Sequence, residues 1–369
     1  MKGFKYDVIL SREDLCDREK EQARLLSVMK RGGRLVIYSI RRMGKTSLAT
    51  VCQERVREQE PKAFCLYVDL NEVTSLRDVA QRFRTHFEMA LKEQMPLQRV
   101  RGLLNDLFSR MKVNLPGDVE ISVDTYALKH PERYLLQLFR ELGSLSVKGR
   151  LVITIDEFQA IAELRDVQAL LRREFQSLEK GAVIVMGSNQ RLLYKMFNDK
   201  KAPFFGFGED LELGEIRVED YLPYLNERFA ARNLSVSEEV ALFMLSQMNN
   251  IPNYINELGA WIIETLTDLE LTRDHIDAAI EALVRSKRGR YESALYGYSQ
   301  NQKAFLKGIA RLGPVKSYTG REMQQATELS ATELARLHTD LEDCPLLSRD
   351  TQNRLFLLDP FLRRFIESI

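Results

Sequence analysis

The stretch SIRRMGKTS, Ser39 to Ser47, decides how this chain is read. It follows RLVIY, Arg34 to Tyr38, a continuous apolar run of the kind that forms a strand buried on both faces. After it the sequence reads as a helix. A loop that enters a helix N-terminus points several backbone N–H groups, and the positive end of the helix dipole, at one place. That is an anion site. The phosphate-cradling pattern is GxxxxGK[ST], so the expected cradle is Ser39, Ile40, Arg41, Arg42, Met43, Gly44, Lys45, Thr46 and Ser47. Lys45 would reach the β- and γ-phosphates, and the Thr46 hydroxyl would ligate Mg²⁺. Ser39 stands where the pattern has glycine, which narrows the backbone options without forbidding the turn.

A second stretch, LVITIDEFQ from Leu151 to Gln159, ends an apolar strand in two acids. Asp156 is placed to hold Mg²⁺ through water, and Glu157 to orient and deprotonate an attacking water. A strand with two acids, downstream of GKT in that order, implies nucleotide binding, with ATP and Mg²⁺ as the ligands. Further on, AVIVM (Ala182 to Met186) runs into Gly187, Ser188 and Asn189. A polar side chain there, Ser188 or Asn189, could lie beside the γ-phosphate; a solvated turn is the competing reading.

Around these motifs the first half alternates strand-like runs with helical stretches, which predicts an α/β fold with a parallel sheet covered by helices. AFCLYVDL, Ala63 to Leu70, is another strand of the set. The segment from Lys112 to Tyr126, with Pro116-Gly117 and the alternating VEISVDTY, reads as an inserted hairpin. From about Glu215 the pattern is helical. Ser235 with Glu238 reads as a capping box, Pro252 opens a second helix in its first turn, and a third follows Thr272. After Arg290, helices near 300–311 and 320–328 precede another box, Ser330 with Glu333, whose helix aligns Leu334, Leu337 and Leu341. Apolar runs at 346–347 and 355–358 flank a turn and read as a hairpin, completing the order of a winged helix. The expected organisation is an α/β core over 1–213, a helical lid over 214–288 and a winged-helix domain over 289–369.

These residues resemble the archaeal/bacterial ATPase family of STAND and AAA+-like P-loop NTPases, over nearly the whole chain. LCDREKE, Leu15 to Glu21, is similar to that family's entry box, whose arginine and glutamate pack near the base; the resemblance puts Arg18 there. IYSIRRMGKTSL and VITIDEFQAI are similar to its loop and acidic strand. NNIPNYINELG, Asn249 to Gly259, resembles the lid segment that closes on adenine, with Pro252 in it, and Asp359-Pro360-Phe361 resembles the ending of its winged helix. The resemblance implies ATP bound between core and lid. Asn250 replaces a lid glycine, and in APFFGFG, Ala202 to Gly208, Phe207 stands where the family has arginine. If that arginine serves phosphate, hydrolysis here is slow or needs a residue from a partner.

Composition narrows the setting. A formal net charge of +1 exerts no global pull on nucleic acid or acidic lipid. Four scattered cysteines, Cys16, Cys52, Cys65 and Cys344, form no CxxC pair, so a reducing, cytoplasmic compartment is expected rather than a disulfide or zinc framework. The N-terminus meets acids too early for a secretory signal, and no apolar run approaches the ~20 residues that span a bilayer. Trp261 is expected in the core. His86, His130, His275 and His338 have no partners in spacing, and 163–180 reads as a solvated helix face.

DNA is the second candidate partner. Between Arg285 and Arg321 nine Lys/Arg face a single acid, Glu292, among aromatics. The helix expected to enter the groove instead carries Glu333, Asp340, Glu342 and Asp343 against Arg336. The Arg285–Arg290 cluster, with Arg349 and Arg354 of the hairpin, is therefore the better DNA candidate. Three readings stay open: an ATP-hydrolysing switch that moves the winged helix and works with a protein partner or by self-association, a DNA-binding initiator-like ATPase, and a nucleotide binder without turnover.

Overall fold

The structure is a computed structural model and describes residues 3–100, 102–103, 129–267, 269–342, 344–350 and 352–369. The hairpin expected at 112–126 lies outside the described residues. Two compact units emerge, one of Arg18–Ser39 and Lys45–Leu213, the other of Met1–Asp17, Ile40–Gly44 and Gly214–Ile369.

The first unit is a parallel sheet with helices. In chain order it contains α1 (Glu19–Arg31), β1 (Arg34–Tyr38), α2 (Lys45–Gln59), β2 (Phe64–Asp69), α3 (Leu76–Gln94), α4 (Pro131–Lys148) and β3 (Leu151–Asp156). A 3₁₀ turn (Phe158–Ile161) leads to α5 (Arg165–Ser177), β4 (Gly181–Gly187), α6 (Gln190–Asn198) and β5 (Glu209–Glu212). The strand order is β2-β3-β4-β1-β5, and every neighbouring pair is parallel. All residues of β3 and β4 are buried, which is why the apolar runs alone identified these strands.

The edge strand β5 escaped that reading. Its sequence, EDLE, buries only Leu211. It is a strand because its backbone pairs with Leu35–Tyr38, and Glu209 is held by Arg31 and Arg24 of α1. At the opposite edge, the Gln94 side chain accepts from the Cys65 N–H at 2.9 Å and donates to the Cys65 carbonyl at 2.6 Å. The turn before β1 depends on Gly32. Its φ is 71°, and a Cβ there would sit 2.9 Å from the Lys180 carbonyl oxygen.

The second unit continues with α7 (Val218–Ala230), β6 (Ser235–Val236), α8 (Glu238–Gln247), α9 (Pro252–Thr265), β7 (Glu270–Leu271) and α10 (Arg273–Ser286). Then come α11 (Arg288–Tyr296), α12 (Gln300–Leu312), α13 (Arg321–Thr327), α14 (Ala331–Asp340), β8 (Leu347–Arg349), β9 (Leu355–Leu357) and α15 (Pro360–Ser368). Helices α12 to α14 followed by the antiparallel pair β8–β9 keep the expected order, and Val315 adds a bridge to Leu355.

The cap of α8 is a correction. Ser237, not Ser235, accepts from the third helical N–H, that of Val240, while Ser235 pairs with Glu270 in the short β6–β7 ladder. Spacing favoured Ser235, which alone has an acid three residues on; Ser237 has Val240 there and caps through a single bond, without the reciprocal half of a box. The box of Ser330 with Glu333 forms in both directions, and so does one of Thr272 with His275. His275 is therefore a cap partner rather than a lone surface histidine. Trp261 is half-buried rather than core.

Candidate active site

The cradle's backbone explains its departure from the glycine pattern. Ser39 is fully buried at the end of β1, and the left-handed positions of the loop are Arg42, φ 70°, and Gly44, φ 89°. Glycine is conformationally needed at 44 and not at 39. Arg42 adopts a conformation costly for a side-chain-bearing residue. Its guanidinium is tied down by Asp7 at 3.2 Å and lies 4.7 Å over the Tyr254 ring. Asn250 follows the same logic: with Asn249 it takes a left-handed conformation, φ 53° and 52°, which asparagine tolerates best after glycine.

Around Asp156 the side chains converge. Lys45 and Thr46 open α2, whose N-terminus supplies the dipole. The Thr46 hydroxyl donates to Asp156 Oδ2 at 2.7 Å, and the Tyr67 hydroxyl donates to the same oxygen at 2.7 Å. The Glu157 N–H donates to Oδ1 at 2.9 Å. Burial pushes the Asp156 carboxyl above its ordinary value, although the Lys45 charge and the bonds from Thr46 and Tyr67 oppose it. Burial, then the Asp156 charge, pushes the Tyr67 phenol up, so it stays a donor. Behind them Gln53 of α2 donates to the Thr154 hydroxyl at 2.8 Å and the Leu66 carbonyl at 3.4 Å, pinning the helix to β2 and β3.

Glu157 sits just past β3 with φ 50°. Its Oε2 accepts from the Ser188 hydroxyl at 2.7 Å and from the Gln159 amide. Asn189 takes another role: its side chain caps α6 by accepting from the Leu192 N–H at 3.1 Å. Of the two polar candidates after β4, only Ser188 touches Glu157. Met43 and Ser47 are buried, Ile40 is half-buried and Arg41 is exposed. Arg18 is buried at the start of α1, φ 81°, with Glu21 accepting from it at 2.8 Å. Pro252 occupies the first turn of α9.

Phe207 proves to be core. Its ring lies 5.2 Å from Phe204, 5.8 Å from Phe197 and 6.0 Å from Phe175, with Arg172 stacked on it at 5.1 Å. The position that the resemblance gives to arginine is filled here by a core aromatic. Sequence reasoning passed over Tyr67, Gln53 and Gln159. Gln159 was visible in DEFQ, whereas Tyr67 and Gln53 are brought in by packing.

Of the basic candidates for DNA, Arg285 and Arg290 are exposed, and the others meet neighbours. Lys287 pairs with the buried Glu257 at 2.5 Å and lies 4.3 Å over the Phe361 ring. Arg288 pairs with Glu292 at 2.7 Å, and Arg354 with Asp350 at 2.6 Å. Arg349 contacts His338 Nε2 at 2.6 Å, and His338 stacks on Tyr318. On α14, Arg336 lies 3.9 Å from Asp340.

Among the described residues no cluster of three or more His, Cys, Asp and Glu could hold a metal, and no helix is long and apolar enough to cross a membrane. The cysteines are free thiols. No protein-family model and no curated protein matches the chain. Solved structures do. A Walker-type ATPase of Pyrococcus abyssi superposes with a TM-score of 0.67 at 19% identity, over 98% of this chain and 99% of that one. The Aeropyrum pernix ORC2 protein in its ADP form superposes with a TM-score of 0.53 at 16% identity, over 99% and 95%. The chain has the P-loop NTPase α/β fold.

Proposed function

We propose that this chain binds ATP and Mg²⁺ on the Ser39–Ser47 loop, hydrolyses ATP slowly, and acts as a nucleotide-dependent switch. The observation that carries this reading is the junction of Thr46 with Asp156, beside a Glu157 already fixed by Ser188. A hydroxyl and a carboxylate oxygen 2.7 Å apart suit a hard cation that keeps most of its waters and takes its other ligands from phosphate. When bound, Mg²⁺ would offset phosphate charge. Lys45 and the N–H groups entering α2 hold the β- and γ-phosphates. Glu157 orients water and takes its proton.

We read residues 1–213 as the ATPase core, 214–288 as a lid and 289–369 as a winged-helix domain that meets a protein partner or a second copy. Free cysteines fit a reducing cytoplasm. DNA binding has less support, because Lys287, Arg288 and Arg354 are paired with acids.

Phosphate release and nucleotide binding by wild type, Lys45→Ala and Glu157→Gln test the reading. Lys45→Ala should lose nucleotide, and Glu157→Gln should bind ATP with kcat lower by about 10²- to 10⁴-fold. Equal background release by wild type and Glu157→Gln would defeat it.

A further inference from the structure

We propose that Gln159 is the positioning residue for the Glu157 carboxylate, and that position 187 is glycine to make room for it. The inference rests on the reading of Glu157 as the base.

The features that converge on Gln159 arise separately. Glu157 holds a left-handed backbone, φ 50°, a strained state that persists where the surroundings over-determine it. The chain turns at once into the 3₁₀ segment, anchored by the fully buried Phe158 and Ile161 and closed by the Ala160 N–H on the Glu157 carbonyl at 2.9 Å. That turn brings Gln159 back over the carboxylate. Its Nε2 donates to Glu157 Oε2 and lies 3.5 Å from the Ser188 hydroxyl, which donates to the same Oε2.

The amide is held against its own preference. Gln159 Oε1 is buried without a partner, a state that a freely turning side chain would leave. The amide lies close against Gly187. That glycine is not in a left-handed conformation, so backbone freedom does not explain it. A Cβ there would stand 2.0 Å from Gln159 Oε1 and 3.2 Å from its Cδ. The last residue of β4 is thus a slot for the Gln159 amide.

The chemical consequence concerns which oxygen is available. Two donors hold Oε2, while Oε1 has no partner among the described residues. A carboxylate that could rotate would present either oxygen; this one presents Oε1. In hydrolysis the water oxygen bonds to the γ-phosphorus, the bond from that phosphorus to the ADP oxygen breaks, and the water proton passes to Glu157 Oε1. Gln159 touches none of the reacting atoms and acts through Glu157.

The test pairs kinetics with stability. Gln159→Met keeps the stem and removes the donor; it should lower kcat roughly tenfold, with KM and ADP affinity within about twofold of wild type. Gly187→Ala should lower the melting temperature and kcat, and Gln159→Ala added to it should restore part of the melting temperature. An unchanged or raised kcat for Gln159→Met, in a protein that Glu157→Gln disables, overturns the positioning role while the ATPase reading stands. A Gly187→Ala loss that is the same without Gln159 overturns the slot. Wild type and Glu157→Gln releasing phosphate equally overturns the base reading, and the positioning role with it. The melting experiment needs no nucleotide, so the geometry is judged separately.

Discussion

The carboxyl ends of β3 and β4 and the basic run from Arg285 to Arg290 are both rich in charge, yet they treat it in opposite ways. At the sheet end the acids are held chiefly by neutral donors: hydroxyls of Thr46 and Tyr67 on Asp156, and Ser188 with the Gln159 amide on Glu157. Neutral donors orient a carboxylate without cancelling its charge. In the second region two of the four cations meet acids directly, Lys287 with Glu257 and Arg288 with Glu292, while Arg285 and Arg290 stay exposed. Charge that is oriented but not cancelled is available to a cation or a proton. Charge cancelled within the fold contributes little field to an outside phosphate.

The largest effect should come from inverting the second region. Lys287→Glu would face the buried Glu257 with a like charge, and a broken buried pair costs about 3–5 kcal/mol. Thermal melting checks this, and a melting point close to wild type would show that the pair is not a structural tie. A smaller loss is expected from Tyr67→Phe, which removes a donor from Asp156. A hydrogen bond to a charged group contributes about 1.5–3 kcal/mol. Denaturant unfolding measures it, and no change would mean that Thr46 alone suffices. The smallest effect belongs to Arg288→Ala: an exposed i,i+4 pair is worth about 0.3–0.5 kcal/mol. It should leave DNA retention unaltered at low salt, and loss of retention would break the comparison by exposing Arg288 as a phosphate contact.

Much of this was legible in the sequence because the strands that carry the site are buried on both faces, so β1 to β4 announce themselves as apolar runs. The GKT and DE motifs then fall at their ends by covalent connection. What lay beyond the sequence depends on pairing. EDLE becomes β5 only because β1 offers an unpaired edge. Tyr67 reaches Asp156 only because β2 and β3 are in register, Asp69 opposite Asp156. Choosing Ser188 over Asn189 required knowing that α6 begins at Gln190, which commits Asn189 to the cap. Phe207 was read through a resemblance, although the aromatic density of APFFGFG was itself a sign of core.

The sealed edge of β2 has a consequence for assembly. A strand with free N–H and C=O groups invites another chain to extend the sheet. Here the Gln94 amide answers both groups of Cys65, acting as a one-residue imitation strand. At the far edge β5 presents Asp210 and Glu212, which repel an acidic copy of themselves. At Cys65 and along β5 the described sheet therefore discourages extension by shared strands.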